Sequence, residues 1–215
     1  MKKIILENIK KFIFNYTRFG APGYSYNLEP IQLSEIILSI EKTKELSGSI
    51  CEIGVARGMT TRYICEHLKL LNYKEKFFCI DTFSSFEKED IDFEIQNRQK
   101  SMEELRGFSY NNFERWKKNF ENFNFVKPIK ADIKKFDFKL ISPLKLVILD
   151  VDLYKPTIIA LNNLKKNMVS GGIIIVDDIK NNHAWDGAYQ AFNEFVNSNS
   201  YNYRIIGTKC GIINF

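Results

Sequence analysis

The chain has 215 residues, 45% of them hydrophobic and 27% charged, with a formal net charge of +5. At about 100–200 residues per domain, this length suits one folded domain with a decorated terminus, and the composition excludes disorder, collagen-like repeats and a membrane bundle. The cationic excess comes from lysines scattered along the chain, which points away from a nucleic-acid partner.

In chain order, the opening MKKIILENIKKFIF places Ile5, Ile9, Phe12, Ile13 and Tyr16 at helical spacing with lysines opposite. Glu7, Lys10 and Lys11 interrupt it where a signal core would be continuous, and no apolar run approaches a transmembrane segment. The expectation is a cytoplasmic protein whose first helix packs on the domain or on a second copy, making a homo-oligomer, with a lipid surface as the lesser option. A second helix spans Glu29 to Leu46, with Pro30 in its first turn. Residues 1–48 thus read as an N-terminal helical segment, for dimerisation or as a lid, ahead of a catalytic domain at 49–215.

From residue 49 short β-branched runs alternate with helical patterns, the signature of βαβ units around a parallel sheet. Seven strands are predicted, at Ser49–Gly54, Lys76–Asp81, Phe125–Lys130, Leu144–Val151, Gly172–Asp177, Tyr203–Gly207 and Gly211–Asn214, the last two joined as a hairpin through Thr208 and Lys209. Helices are predicted near 58–71, 109–121, 156–168 and 186–198. The insertion at 84–108 fits neither period and is too long for an ordinary connection, so it reads as a lid or binding loop. Cys51, Cys65, Cys79 and Cys210 form no C-x-x-C pair and lie in apolar stretches, which suits free thiols in a reducing compartment.

The first strand runs into Glu52-Ile53-Gly54-Val55-Ala56-Arg57-Gly58 and then a helix, so small residues at 54, 56 and 58 allow a tight turn beside a ligand. A dinucleotide fingerprint needs its third glycine three places after the second; Thr61 stands there instead, which weakens a nicotinamide reading. The turn resembles that of class I S-adenosylmethionine-dependent methyltransferases, in which Glu52 would lie beneath the methionine end of the cofactor. Asp81, ending the second strand, is placed to accept ribose hydroxyls. Asp132, past the third strand, would reach the adenine amino group or cap the turn that follows.

Strand four ends in Asp150-Val151-Asp152 and strand five in Asp177-Asp178. Alternate strand residues share a face and neighbouring strands lie ~4.8 Å apart, so the four carboxylates are expected to gather at one mouth of the sheet. Such a cluster takes up a proton or a hard cation, Mg²⁺ first, with Mn²⁺ or Ca²⁺ as alternatives.

Four runs together carry a family resemblance: Glu52 to Gly58, Ile80 to Phe86, Leu149-Asp150-Val151-Asp152-Leu153-Tyr154-Lys155-Pro156, and Ser170-Gly171-Gly172 through Asp177-Asp178. Over roughly residues 49–196 the chain resembles the macrocin O-methyltransferase family. The resemblance implies a Rossmann-like class I methyltransferase fold, α/β, with a seven-stranded mostly parallel sheet and helices on both faces. It also implies transfer of a methyl group from S-adenosylmethionine to a hydroxyl of a sugar or other small-molecule acceptor, with Asp150, Asp177 and Asp178 ligating Mg²⁺ and Asp152 as general base. The chain departs from the family after Asp81, where Ser85 and Glu87 replace a glycine and a proline, and through the stretch up to Phe108. His183 and Trp185 follow the acidic pair; each has an ordinary loop or packing role as its alternative to contacting the acceptor. The competing readings are a nicotinamide-dependent oxidoreductase and a non-catalytic cofactor- or metal-binding partner subunit.

Overall fold

The computed structural model describes residues 2–215. Seven strands form one sheet: β1 (Ser49–Ile53), β2 (Phe77–Asp81), β3 (Val126–Lys130), β4 (Leu144–Leu149), β5 (Met168–Val176), β6 (Tyr203–Ile206) and β7 (Cys210–Asn214). Their order is β3-β2-β1-β4-β5-β7-β6, and β7 alone runs antiparallel to its neighbours. The helices are α1 (Lys2–Tyr16), α2 (Pro30–Thr43), α3 (Met59–Leu70), α4 (Lys88–Arg98), α5 (Phe113–Phe120), α6 (Tyr154–Leu164) and α7 (Gly187–Asn199).

Successive strand residues point to opposite faces, so each strand feeds two cores. Ile50, Leu146, Ile148, Ile173 and Ile175 join α2, α3 and α5 on one side. Cys51, Val147, Leu149, Ile174 and Val176 join α6 and α7 on the other. Because the central strands are covered on both faces, they are apolar at most positions, with Glu52 and Lys145 as buried exceptions. All four cysteines are buried free thiols.

Helix α2 is part of this packing: Leu33, Ile36 and Ile40 enter the first core, and truncating any of them to Ala should cost about 2–5 kcal/mol. Glu29 and Gln32 close its N-terminus as a capping box, with Pro30 in the first turn. Helix α1 differs, for none of its residues is buried.

Three local expectations need correction. The insertion at 84–108 contains a helix, α4, whose buried face carries Asp90 and Glu94 in place of apolar residues, so no hydrophobic period betrays it. The helix predicted to 168 stops at Leu164, and β5 starts early at Met168, bending where Gly171 takes φ +80°. Strand β4 ends at Leu149, so Asp150 and Asp152 are not alternate residues of one strand. Asp152 has φ +62° and Asp178 has φ +56°, and these left-handed turns, not strand alternation, aim the carboxylates.

Candidate active site

At the carboxyl ends of the parallel strands a cleft of about 420 Å³ opens, a size typical of small-molecule sites. Its floor is the turn after β1. Gly54 takes φ +85°, and a Cβ there would fall 1.7 Å from the carbonyl oxygen of Asp150, so glycine is required where the exits of β1 and β4 touch. Ala56 borders the cleft with φ +43°. Gly58 has another reason to be glycine than the cofactor contact expected of it. It is buried away from the cleft wall, takes φ +88°, and a Cβ would lie 2.6 Å from the Phe120 ring.

Asp81 ties this turn to β2. Its Oδ2 accepts from Val55 N at 2.8 Å and Ala56 N at 3.0 Å, and its Oδ1 accepts from Phe83 N at 2.6 Å. Burial raises its pKa, against the pull of those three N–H groups. Glu52 lies under the turn, fully enclosed, and accepts from the Thr61 hydroxyl at 2.6 Å; burial pushes it up to about 8. Asp132 caps the short 3-10 turn after β3, accepting from Lys134 N at 3.0 Å, and pairs with Lys134 and Lys135 at 3.3 and 3.4 Å. Burial would raise its pKa, but the Lys134 amide and the two ammonium groups prevail and lower it. Glu52, Asp81 and Asp132 all line the cleft.

The acidic cluster lies at the opposite end. One carboxylate oxygen from each of Asp150, Asp177 and Asp178 falls within 4.8 Å of the others. Burial, reinforced by the neighbouring carboxylates, holds Asp150, Asp152 and Asp177 above the usual carboxylate range. Asp152 stands beside Asp178, whose carboxylate adds to the upward shift of its pKa.

Two residues not foreseen complete this end. The Lys209 ammonium donates to Asp177 Oδ2 at 2.9 Å and to Asp178 Oδ1 at 2.7 Å, and Gln32 Nε2 donates to Asp177 Oδ1 at 2.6 Å. Burial works to lower the Lys209 pKa, yet the two aspartates outweigh it and raise it. The antiparallel register Val176↔Gly211 is what sets the hairpin turn, and hence Lys209, beside the end of β5. A lone lysine in a predicted hairpin was the available signal. The same turn is held from the other side, where Thr208 N and Oγ1 donate to Glu29 at 2.8 and 2.5 Å.

Helix α4 and the loop before α7 form the roof. Lys134 pairs with Asp90 at 2.5 Å, and Glu94 accepts from Tyr154 N at 2.7 Å. Arg98 bridges Glu94 at 2.6 Å and Asp186 at 2.5 Å, while Lys100 reaches Asp186 at 2.9 Å. Phe86, Phe108 and Trp185 line the cleft under this network, with Phe86 and Phe108 rings each 5.4 and 6.4 Å from Trp185 respectively. His183 stays out of the cleft wall; its carbonyl accepts from Lys100 at 2.7 Å.

Compared with known proteins, residues 30–207 match the sequence model of a family described as Macrocin-O-methyltransferase (TylF). Among solved structures, the O-methyltransferase NovP superposes with a TM-score of 0.70 at 19% identity, over 90% of this chain and 83% of that one. CalS11, a calicheamicin methyltransferase, gives 0.67 at 15% identity, over 100% of this chain and 86% of that one. SMU.1697c of Streptococcus mutans, in complex with SAH, gives 0.54 at 14% identity, over 87% and 98%. At these identities the likeness is one of fold. Compared with curated proteins by sequence, the chain has no match.

Proposed function

Because the chain belongs to the macrocin-O-methyltransferase family, we propose that this O-methyltransferase carries a methyl group from S-adenosylmethionine to a sugar hydroxyl with a divalent cation at Asp150, Asp177 and Asp178. The observation that carries this reading is that the acidic cluster and the Gly54–Ala56 turn with Asp81 share one cleft. Family membership removes the oxidoreductase alternative.

The residues fit a hard cation. The donors are all carboxylate oxygens, and the Lys209 ammonium already stands in as a positive charge between two of them. S-adenosylmethionine supplies an electrophilic methyl group, and a divalent ion, Mg²⁺ first, makes a neighbouring alcohol more acidic. Asp81 would accept from the nucleoside hydroxyls with the lone pairs its three amide donors leave free, Glu52 would underlie the methionine end, and Asp132 would accept from the adenine amino group.

At the acceptor end Asp152 would take the hydroxyl proton. Its carboxylate is poised for that by burial and by Asp178, both of which favour the protonated form once a proton arrives. Direct displacement needs nucleophile and methyl held in line, and Trp185 with Phe86 offers a flat apolar wall for one face of a sugar ring.

A solved relative is described as a TDP-rhamnose 3'-O-methyltransferase, so nucleotide-linked deoxysugars are the first acceptors to assay. Methyl transfer is followed by mass spectrometry with and without a chelator, beside calorimetry with S-adenosylhomocysteine. The expected result is cofactor binding with or without metal and transfer only with metal. Transfer that survives excess chelator removes the ion from this reading; absence of S-adenosylhomocysteine binding removes the cofactor site.

A further inference from the structure

We propose that α1 is a membrane-surface helix that seats the protein on anionic lipid headgroups. The proposal stands apart from the reading of the cleft. Ile5, Leu6, Ile9, Phe12, Ile13 and Tyr16 recur at three- and four-residue spacing and share one face. Apart from Ile13, half-buried near the turn that follows, that face is open to solvent: Ile5 is 55%, Ile9 50%, Phe12 60% and Tyr16 76% exposed. A continuous apolar strip left in water on an otherwise well-packed domain marks an interaction site.

Charge identifies the occupant. Lys3, Lys10 and Lys11 lie off the apolar face, and Lys2 and Arg18 flank its ends. Glu7 is the one carboxylate between residues 2 and 19, and it is spent on Lys10 at 3.1 Å. A second copy would bring two such cationic helices together and cost repulsion, whereas an anionic headgroup layer meets the lysines while the apolar face enters the acyl boundary. Lysines beside the apolar strip can bury their stems and keep their ammonium groups at headgroup depth. Ile4 and Phe14 are also exposed but lie outside the strip, on the side of the lysines.

The helix lies on a membrane and does not cross it. Its 15 residues span about 22 Å at 1.5 Å each, short of a ~30 Å hydrocarbon core. No helix among the described residues is long and apolar enough to cross. Its attachment to the domain is short and folded. Thr17 caps the turn Arg18–Gly20, which packs back so tightly that a Cβ on Gly20 would lie 2.5 Å from Phe14 Cα. A few residues later Arg57 donates to the Ser25 carbonyl at 3.2 Å, and Ser25 lines the cleft. The family match starts at residue 30, so α1 lies outside the matched stretch.

The test is co-sedimentation of the full-length protein with phosphatidylglycerol or phosphatidylcholine vesicles at low and high salt, beside analytical ultracentrifugation without lipid. Two variants probe the two halves of the argument: Phe12→Asp for the apolar face, and Lys10→Glu with Lys11→Glu for the charge. Because α1 contributes nothing to the core, both should unfold at the wild-type temperature. The expected result is salt-sensitive binding to phosphatidylglycerol vesicles alone, reduced at least about tenfold in each variant. Failure to sediment with phosphatidylglycerol, or equal binding to both lipids, overturns the proposal. A dimer that Phe12→Asp dissociates, together with no vesicle binding, assigns the face to a second copy instead.

Discussion

The Lys209 ammonium lies 2.7 Å from Asp178 Oδ1 and 2.9 Å from Asp177 Oδ2, so one hairpin lysine bridges two of the three clustered carboxylates. A divalent ion held by the proposed ligands would share these oxygens, so the two cations would compete for them. Lys209→Met keeps the length and removes the charge. Without metal this variant should lose on the order of 3 kcal/mol in chemical denaturation, because buried carboxylates are left uncompensated. Mg²⁺ should bind it more tightly than wild type and restore much of that loss, as read by calorimetry and by melting in metal against chelator. Equal metal affinity in the two proteins would show that Lys209 does not compete.

Asp152 and Asp150 should fail differently although they share one pocket. Asp152→Asn preserves shape but accepts no proton, so turnover should fall by about 10²–10⁴-fold while S-adenosylhomocysteine still binds and added Mg²⁺ gives no rescue. Asp150→Ala should weaken metal binding, and high Mg²⁺ should return part of its activity. Near-normal turnover in Asp152→Asn would rule it out as the base.

Asp81 has a structural duty besides its proposed one, because its three backbone donors belong to the turns after β1 and β2. Asp81→Ala should therefore lower cofactor affinity by at least tenfold and also lower stability, each lost charge-assisted hydrogen bond being worth ~1.5–3 kcal/mol. Calorimetry separates the effects from denaturation: an unchanged dissociation constant for S-adenosylhomocysteine in a destabilised protein would leave only the structural duty.

Glu52 gives a pH signature. Its folded pKa of about 8 lies above the ordinary carboxylate value of 4.5, so the folded state holds a proton that the unfolded state releases. Stability from this group is present below pH ~4.5, declines as pH rises between the two values, and is fully lost above about 8. Glu52→Gln cannot ionise and can keep the Thr61 contact. It should gain on wild type by a few kcal/mol between pH 5 and pH 8.5 in urea denaturation. Parallel stability curves for the two proteins would mean that Glu52 is ionised in the fold.

The strand pattern was legible because burial on both faces makes a central strand apolar at most positions, and each of the seven observed strands falls on a predicted one within a few residues. Helix α4 was illegible for the converse reason. Its inward face carries Asp90 and Glu94, whose partners Lys134 and Tyr154 lie 44 and 60 residues away, so nothing local distinguishes it from a charged loop. Gly58 was read as a ligand-turn glycine from spacing alone, whereas the Phe120 ring that excludes its Cβ comes from α5.

By itself the sequence determined the sheet, its two apolar faces and the residues at the strand ends, since these follow from periodicities of two and 3.6 residues within short windows. It also located the four aspartates, though not the left-handed turns at Asp152 and Asp178 that aim them. What the tertiary structure alone decided is the company those aspartates keep. Lys209 comes to Asp177 from 32 residues away because β7 runs antiparallel against β5, and Gln32 comes from 145 residues away because α2 packs across the same sheet. Pairings of that range depend on strand order and on which helix covers which face, and no local pattern of residues encodes either.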